Sequence, residues 1–235
     1  MSPTSLDMAP LDAVAVAIFF ACFAGHTWLV ERSPWRRHTL NHAMNAQRYR
    51  WMRVMLTRDL RMIDTSIMNG LQNGTAFFAS TSLLGIGAAF TLLTATDDML
   101  TMFRDLPFSG QVTRAEWEVK VLALLLIYAY AFFKFGWSYR LFNYASILIG
   151  ATPMAKSEAS RDEIEASADR AAGLMVVAGR HFNQGQRGLF FSIALLGWFV
   201  GPWPLMALSL TVWGVLANRQ FRAPSLVDLQ DQDVL

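Results

Sequence analysis

The sequence predicts an all-α fold, an integral membrane bundle of four transmembrane helices with amphipathic cytoplasmic helices in the first and third connectors. Of its 235 residues, 54% are hydrophobic and 16% are charged, a composition more apolar than soluble domains usually have. The apolar residues are pooled into four long runs, and Lys and Arg are concentrated in alternate connectors. We expect a single membrane domain over 1–235, with no separate soluble domain.

The four apolar runs are each long enough to cross a hydrocarbon core of about 30 Å, because a helix rises about 1.5 Å per residue. The predicted spans are 11–30, 75–96, 119–139 and 189–217. The fourth contains Gly201-Pro202-Trp203-Pro204, which predicts either one kinked helix or a helix broken near its middle. We favour the kinked single span. We expect the first run to be retained rather than removed as a signal peptide.

The distribution of basic residues predicts the orientation, because cytoplasmic loops are enriched in Lys and Arg. The connector 31–74 has eight arginines and three acids, whereas 97–118 has two arginines and five acids. The segment 140–188 has six basic residues. We therefore expect connectors 31–74 and 140–188 on the cytoplasmic side of the inner membrane, with both termini outside. Arg219 and Arg222, just after the fourth span, argue against that side for the C-terminal end.

The two cytoplasmic connectors contain helical patterns. Between 40 and 71, apolar residues recur at steps of three and four, at Met52, Leu56, Leu60, Ile63, Ile67 and Leu71. This spacing predicts a basic amphipathic helix that lies in the headgroup layer or packs on the helix of the third connector. The latter begins with Ser160 and Glu163 at capping-box spacing. The arginines expected to bind anionic lipid are Arg48, Arg50, Arg53 and Arg58.

Three polar stretches meet the predicted spans at the inner face, before the second span, at the end of the third and before the fourth. We interpret them as one polar cluster or pathway. Its candidate residues are Arg61, Asp64, Asn69, Asn73, Ser80, Ser82, Lys134, Arg140, Asn143, Asn183 and Arg187. Alternatively, these residues form surface pairs and bonds within their own helices, and Lys134 extends to the headgroups.

Catalytic and cofactor motifs are scarce. The histidines at 26, 38, 42 and 181 have no metal-site spacing, and the one cysteine, Cys22, excludes an internal disulfide or thiolate cluster. The sequence contains no P-loop, dinucleotide fingerprint or nucleophile elbow. We therefore expect no cofactor, no metal and no catalytic residue, and an enzyme is the less favoured class. Because the arginines lie between two spans, anionic lipid is a simpler partner for them than nucleic acid.

Several motifs resemble a known family. Four stretches are similar to motifs of domain-of-unknown-function family 599. They are Arg58-Asp-Leu-Arg-Met-Ile-Asp64, Phe77-Phe-Ala-Ser-Thr-Ser82, Phe135-Gly-Trp-Ser-Tyr-Arg-Leu-Phe-Asn-Tyr144 and Phe182-Asn-Gln-Gly-Gln-Arg187. The similarity covers nearly the whole chain. That family has no established activity, so the resemblance implies membrane location and no mechanism.

Two functional classes remain open. The first is an oligomeric channel or small transporter with a polar inner-face pathway, which we slightly favour. The second is a structural or accessory membrane protein that binds partner membrane proteins or anionic lipid. Small residues at four-residue steps, Ala13, Ala17, Ala21 and Gly25, favour helix packing within or between protomers, and we expect a homo-oligomer.

Overall fold

The computed structural model describes residues 10–104, 112–154 and 157–222, and all regular elements in these ranges are helical. The helices are α1 (Pro10–Glu31), α2 (Leu40–Leu56), α3 (Met62–Thr94), α4 (Thr96–Arg104), α5 (Arg114–Ala151), α6 (Arg161–Val200) and α7 (Pro202–Phe221). A short 3₁₀ helix, Pro34–His38, joins α1 to α2. The predicted all-α class is confirmed.

Three helices are long and apolar enough to cross a membrane, namely α1, α3 and α5. The first and third predicted spans lie within α1 and α5, and the second, 75–96, runs two residues past the end of α3. The fourth predicted span, 189–217, is divided between α6 and α7. The structure thus supports a membrane protein with three such helices, and the expected count of four is not reproduced.

The single kinked helix that we favoured over 189–217 is wrong. Helix α6 ends at Val200, and α7 begins at Pro202 after Gly201, whose φ of 156° favours glycine. A Cβ built on Gly197 would lie 2.7 Å from Leu208 Cδ1 and 3.0 Å from the Pro204 carbonyl carbon. Helix α7 therefore turns back along α6, because glycine and proline together end one helix and start the next.

Helix α5 runs antiparallel to both α3 and α6. Ser138 on α5 donates to the Ala178 carbonyl on α6 at 2.8 Å. The Trp117 indole near the start of α5 donates to the Leu92 carbonyl near the end of α3 at 3.3 Å. At the same end, the Trp198 indole donates to Asp12 on α1 at 2.8 Å. Helix α1 accordingly runs antiparallel to α6, and it packs beside α7 in the same direction as α7.

The helices share two main hydrophobic cores. The apolar half comprises α1, α7 and the segments 75–94, 114–137 and 181–200, with a core that includes Phe19, Leu124 and Phe191. The extension comprises α2 and the segments 62–74, 138–151 and 161–180, with a core that includes Met52 and Ala171. Because α3, α5 and α6 have 33, 38 and 40 residues, each is long enough to belong to both.

The first connector differs from the continuous helix predicted over 40–71. Helix α2 ends at Leu56, and α3 starts at Met62. The interruption changes the helical register, so Leu60 and Ile63 are 72% and 56% exposed although both belong to the predicted apolar stripe. Helix α2 packs on α6, one of the two arrangements that we expected.

Ser160 is the N-cap of α6, as predicted, and the structure has one of the two hydrogen bonds of the predicted capping box. The Ser160 hydroxyl accepts a hydrogen bond from the Glu163 backbone N–H at 3.3 Å. This bond satisfies one of the free N–H groups at the start of α6.

Candidate functional site

Asp64 forms the first polar centre, in the extension. Its side chain is fully buried and accepts a hydrogen bond from the Trp51 indole at 2.7 Å. The same carboxylate oxygen forms an ion pair with Arg58. These contacts fasten the end of α2 and the following connector to α3.

Arg61 caps the C-terminal end of α5 from the N-cap position of α3. Its guanidinium donates to the carbonyls of Ile149 at 2.9 Å, Thr152 at 2.5 Å and Pro153 at 2.9 Å. The last carbonyls of a helix lack partners within the helix and carry its partial negative charge. Arg61 therefore stabilises the packing of the start of α3 against the end of α5 in the extension.

Gln72 and Asn143 form the second polar centre, between α3 and α5. The Gln72 amide donates to Asn143 Oδ1 at 2.8 Å and to Ser146 Oγ at 3.1 Å. Asn143 was a predicted site residue, whereas Gln72 was not among the predicted cluster. This centre consists of neutral groups bonded to one another.

Arg187 is the main residue of the third centre, between α6 and α1. Its side chain is 3% exposed and donates to Thr27 Oγ1 at 2.5 Å and to Glu31 Oε1 at 3.2 Å. Gln184 also donates to the Glu31 carboxylate, at 2.9 and 3.1 Å. Arg187 Nε is buried and has no hydrogen-bond partner among the described residues. A buried, charged donor without a partner is costly.

The three centres do not meet. Gly188, next to Arg187, packs against Ala131 of α5, and Asn143 lies twelve residues further, about 18 Å at about 1.5 Å per residue. Asp64 precedes Gln72 by eight residues, about 12 Å along α3. The predicted inner-face cluster is therefore distributed along the helices.

The remaining predicted residues of α3 lie on different sides of that helix. Asn69, Asn73 and Ser80 are exposed, whereas Ser82 is buried and donates to the Phe78 carbonyl at 2.9 Å. The three exposed residues belong to none of the three polar centres.

Two predicted cations of α5 contact aromatic rings. Arg140 is exposed and donates to the Tyr144 hydroxyl at 2.7 Å. Lys134 is half-buried, with its Nζ 5.4 Å from the centroid of the Tyr130 ring. No carboxylate pairs with Lys134 in the part of the chain that the structure describes. Its ammonium is stabilised there by the cation–π contact.

The arginines expected to bind lipid have different environments. Arg48 lies over Gly179, where a Cβ would be 2.6 Å from Nη2, and it donates to Asn45 Oδ1 at 2.6 Å. Burial lowers the pKa of the Arg48 guanidinium. Arg58 is paired with Asp64, as described above. Arg50 and Arg53 are exposed on α2.

Two adjacent cavities lie where α1, α2, α6 and α7 meet, and we call them together the junction site. The larger has a volume of about 550 Å³ and the smaller about 240 Å³. Asn41 and Asn183 line both. Five arginines and one carboxylate among the described residues line the junction site. They are Arg36, Arg180, Arg187, Arg219, Arg222 and Glu31.

Asn41 joins three helices at the junction site. Its Oδ1 accepts from Asn183 Nδ2 at 3.0 Å and from Gln220 Nε2 at 3.3 Å. Its backbone N–H donates to Gln220 Oε1 at 3.4 Å. The start of α2, the middle of α6 and the end of α7 are thereby held together. Sequence reasoning selected Asn183 but missed Asn41, whose partners depend on the return of α7.

His26 lies on the α1 side of the larger cavity. The residue is 3% exposed, and its ring lies against the Leu216 backbone without a hydrogen bond of good geometry from either ring nitrogen. Polar side chains at such depth are normally bonded. His26 and Arg187 together give the cavity two incompletely satisfied buried groups. No cluster of His, Cys, Asp or Glu in the described ranges is arranged to hold a metal ion.

A family model described as "Protein of unknown function, DUF599" matches residues 14–225. The chain belongs to this family. The DUF599 match extends from α1 through α7, so it includes the apolar half, the extension and the junction site. The resemblance inferred from the sequence motifs is confirmed. No curated protein and no solved structure matches the chain.

Proposed function

We propose that this DUF599 protein is a membrane protein that binds a phosphate-bearing anionic group, such as a lipid headgroup, at the junction site. The observation that carries this proposal is the buried Arg187, which lines the larger cavity with its Nε unbonded. A guanidinium presents a planar fork of donors that matches phosphate oxygens. The function is therefore in the accessory, lipid-binding class rather than the enzyme class.

The charge balance of the junction site supports an anion. Its five arginines and one glutamate leave a formal excess of 5 − 1 = 4 positive charges. Arg219 and Arg222 are exposed at the end of α7, and Arg187 is buried between α6 and α1. An anion that enters past the exposed arginines therefore meets a third, desolvated guanidinium. Attraction is stronger there because the local dielectric is lower.

The proposed membrane placement puts the junction site at headgroup depth. Helix α1 ends beside it at Glu31, and α7 ends beside it at Phe221. The 20 residues of α7 span about 30 Å at about 1.5 Å each, enough for one crossing. In this arrangement the bilayer is crossed five times, by α1, α3, α5, the segment 181–200 and α7. Arg219 and Arg222 then lie on the same cytoplasmic side as connector 31–74, as the positive-inside rule requires.

Lipid binding by an Arg187→Gln variant tests the proposal. We expect the affinity for phosphatidylglycerol to fall about 10- to 100-fold, because a hydrogen bond to a charged group is worth about 1.5–3 kcal/mol. Binding is measured by native mass spectrometry of protein released from phosphatidylcholine nanodiscs with titrated phosphatidylglycerol. Inorganic phosphate, added separately, distinguishes a headgroup site from a site for a free anion.

Two further variants control this experiment. Arg161→Gln removes the same charge from a side chain that is 89% exposed outside the junction site, and its affinity should match that of the unmodified protein. Glu31→Gln removes the carboxylate that competes for Arg187 and should tighten binding. Equal affinities for the Arg187 and Arg161 variants would contradict the proposal.

The channel or transporter expected from the sequence stays a prediction. Asn69, Asn73 and Ser80 are exposed on α3. Asp64, Asn143 and Arg187 belong to three separate centres, and Ser82, Lys134 and Arg140 belong to none of the three. A continuous polar route built from the exposed residues would therefore have to lie between copies of the chain. Ion flux through reconstituted protein would favour that class, and the Arg187 variant would then separate permeation from lipid binding.

A further inference from the structure

The two cavities of the junction site lie one after the other along α6. Val176 and Arg180 line the smaller cavity, Arg187 and Phe190 line the larger one, and Asn183 lines both. Because α6 runs from the extension into the apolar half, the smaller cavity is the one further from the apolar half. Arg180 and Arg187 are seven residues apart, which is about two turns and about 10 Å along the helix axis. The junction site therefore has a deep level, the larger cavity, and a distal level, the smaller one.

Each level has arginines of its own. The deep level has Arg187, which is buried, and Arg219 and Arg222, which are exposed, and no carboxylate lines it among the described residues. The distal level has Arg36 and Arg180, which are both exposed. The cations of the junction site are thus separated along α6 rather than gathered at one point.

A headgroup with one phosphate does not neutralise the junction site. The formal excess is 5 − 1 = 4 positive charges, and the carboxylate in this count, Glu31, is already bonded to Arg187 and Gln184. A phosphodiester contributes a single negative charge, whereas a terminal phosphate contributes about 1.5 to 2 at pH 7. A headgroup with both groups therefore carries about 2.5 to 3 negative charges, which is closer to the excess.

Two amides lie where the levels meet, and their hydrogen bonds determine which of their atoms can bind a ligand. The Asn41 backbone N–H donates to Gln220 Oε1 at 3.4 Å, which identifies the oxygen of that amide. The Gln220 nitrogen donates to Asn41 Oδ1, which also accepts from Asn183 Nδ2. No described residue bonds to Asn41 Nδ2 or Asn183 Oδ1, so one donor and one acceptor remain. A hydroxyl group both donates and accepts, and it is complementary to this pair.

We propose that the junction site binds a lipid headgroup with two phosphates, a phosphodiester at the deep level and a terminal phosphate at the distal level, joined by a hydroxyl-bearing bridge at Asn41 and Asn183. This inference rests on the proposed headgroup-binding function and extends it. In the proposed membrane placement, the deep level is nearer the hydrocarbon, where the phosphate next to the acyl chains lies. The terminal phosphate then projects about 10 Å further toward the cytoplasm.

Native mass spectrometry with three lipids, each titrated into phosphatidylcholine nanodiscs, tests this inference. Phosphatidylglycerol phosphate has both phosphates and a hydroxyl on the bridge between them, whereas phosphatidylglycerol lacks the terminal phosphate. Cardiolipin has two phosphates that both lie next to acyl chains, so they do not match levels of different depth. Arg180→Gln removes a cation of the distal level. Arg170→Gln is its matched control, because Arg170 is also exposed on the extension part of α6 and lies outside the junction site.

We expect phosphatidylglycerol phosphate to bind about 10-fold more tightly than phosphatidylglycerol or cardiolipin, because hydrogen bonds to a charged group add to its affinity alone. Arg180→Gln should lower the affinity for phosphatidylglycerol phosphate about 10-fold and change the affinities for the other two lipids by less than about twofold. Arg170→Gln should leave all three affinities unchanged.

The outcomes separate this inference from the proposed function. Equal affinities for phosphatidylglycerol phosphate and phosphatidylglycerol, both lowered by Arg187→Gln, would overturn the second phosphate and leave the proposed function in place. Affinities that do not respond to Arg187→Gln for either lipid would contradict both. Tightest binding of cardiolipin, lowered by Arg180→Gln, would overturn the two levels. Displacement of the lipid by equimolar inorganic pyrophosphate would indicate a site for a free anion and would also overturn the inference.

Discussion

The apolar half and the extension are made largely from the same three helices, yet their cores are filled differently. Large rings such as Phe19, Phe191 and Trp198 fill the core of the apolar half. Small or flexible side chains such as Ala171 and Met175 fill that of the extension. Aromatic rings fill space between widely separated helices, whereas alanine lets backbones approach closely.

The outer surfaces of the two regions differ more than their cores. In the apolar half, Leu84 and Phe133 are 75% and 72% exposed, which suits hydrocarbon. In the extension, Arg161 is 89% exposed and pairs with Glu165. Under the proposed membrane placement, one continuous helix serves two solvents, because its backbone is satisfied internally in both. Arg187, 3% exposed, and its partner Glu31, 21% exposed, then lie near the change of solvent.

The largest effect should come from overpacking the α6–α7 hairpin of the apolar half. In a Gly197→Leu variant, the new side chain meets the Pro204 backbone, which cannot move aside as a side chain does. We expect a loss of about 1–3 kcal/mol or more, and a thermal midpoint lower by about 2–4 °C per kcal/mol for a chain of this size. The midpoint is measured by circular dichroism in mild detergent.

Gly214→Leu is the matched control on α7, because a Cβ at Gly214 meets nothing within 4 Å. Its thermal midpoint should stay near that of the unmodified protein. If both leucine variants unfold at the same temperature, the hairpin contact does not constrain the apolar half as described.

A somewhat smaller loss of stability should result from removing the buried carboxylate of the extension. Asp64→Ala removes the acceptor of the Trp51 indole and the partner of Arg58. Since Arg58 is 30% exposed, water can resolvate it, and we expect a loss of about 1–3 kcal/mol. The free energy of unfolding is obtained by denaturant titration followed through tryptophan fluorescence, which also reports on Trp51.

The matched control for this change is Asp169→Ala, since Asp169 is exposed on the extension part of α6. An exposed residue without such contacts should change stability by no more than about 0.5 kcal/mol. An Asp64 variant as stable as the Asp169 variant would show that the extension does not depend on its buried carboxylate.

Most of the helical architecture could be predicted from the sequence because hydropathy and length determine which segments suit hydrocarbon. The course of the fourth apolar run, 189–217, could not be predicted, because hydropathy does not distinguish a kinked helix from a helix pair that turns back. Gly201 and the two prolines marked the position, and Arg219 and Arg222 signalled the return of α7. The interruption between α2 and α3 was missed because its apolar residues continue the helical spacing.

The candidate site was predictable only in part, for a related reason. Arg187 and Asn183 attract attention as polar residues beside an apolar run, but Asn41 and Gln220 gain their roles from contacts between distant segments. Asn41 and Gln220 are 179 residues apart, so no local sequence pattern indicates their contact. The grouping of Asp64, Asn143 and Arg187 into one cluster ignored how far each lies along its helix.

We expect α7 to cross the membrane back and to bring its basic end to the side of α2, which completes the junction site. Single cysteines in the Cys22→Ala protein, at Arg53, Trp203 and Arg222, test it with a membrane-impermeant maleimide applied to intact cells and to inverted vesicles. We expect labelling of positions 53 and 222 in inverted vesicles and of position 203 in intact cells. Labelling of 203 and 222 from the same side would contradict it.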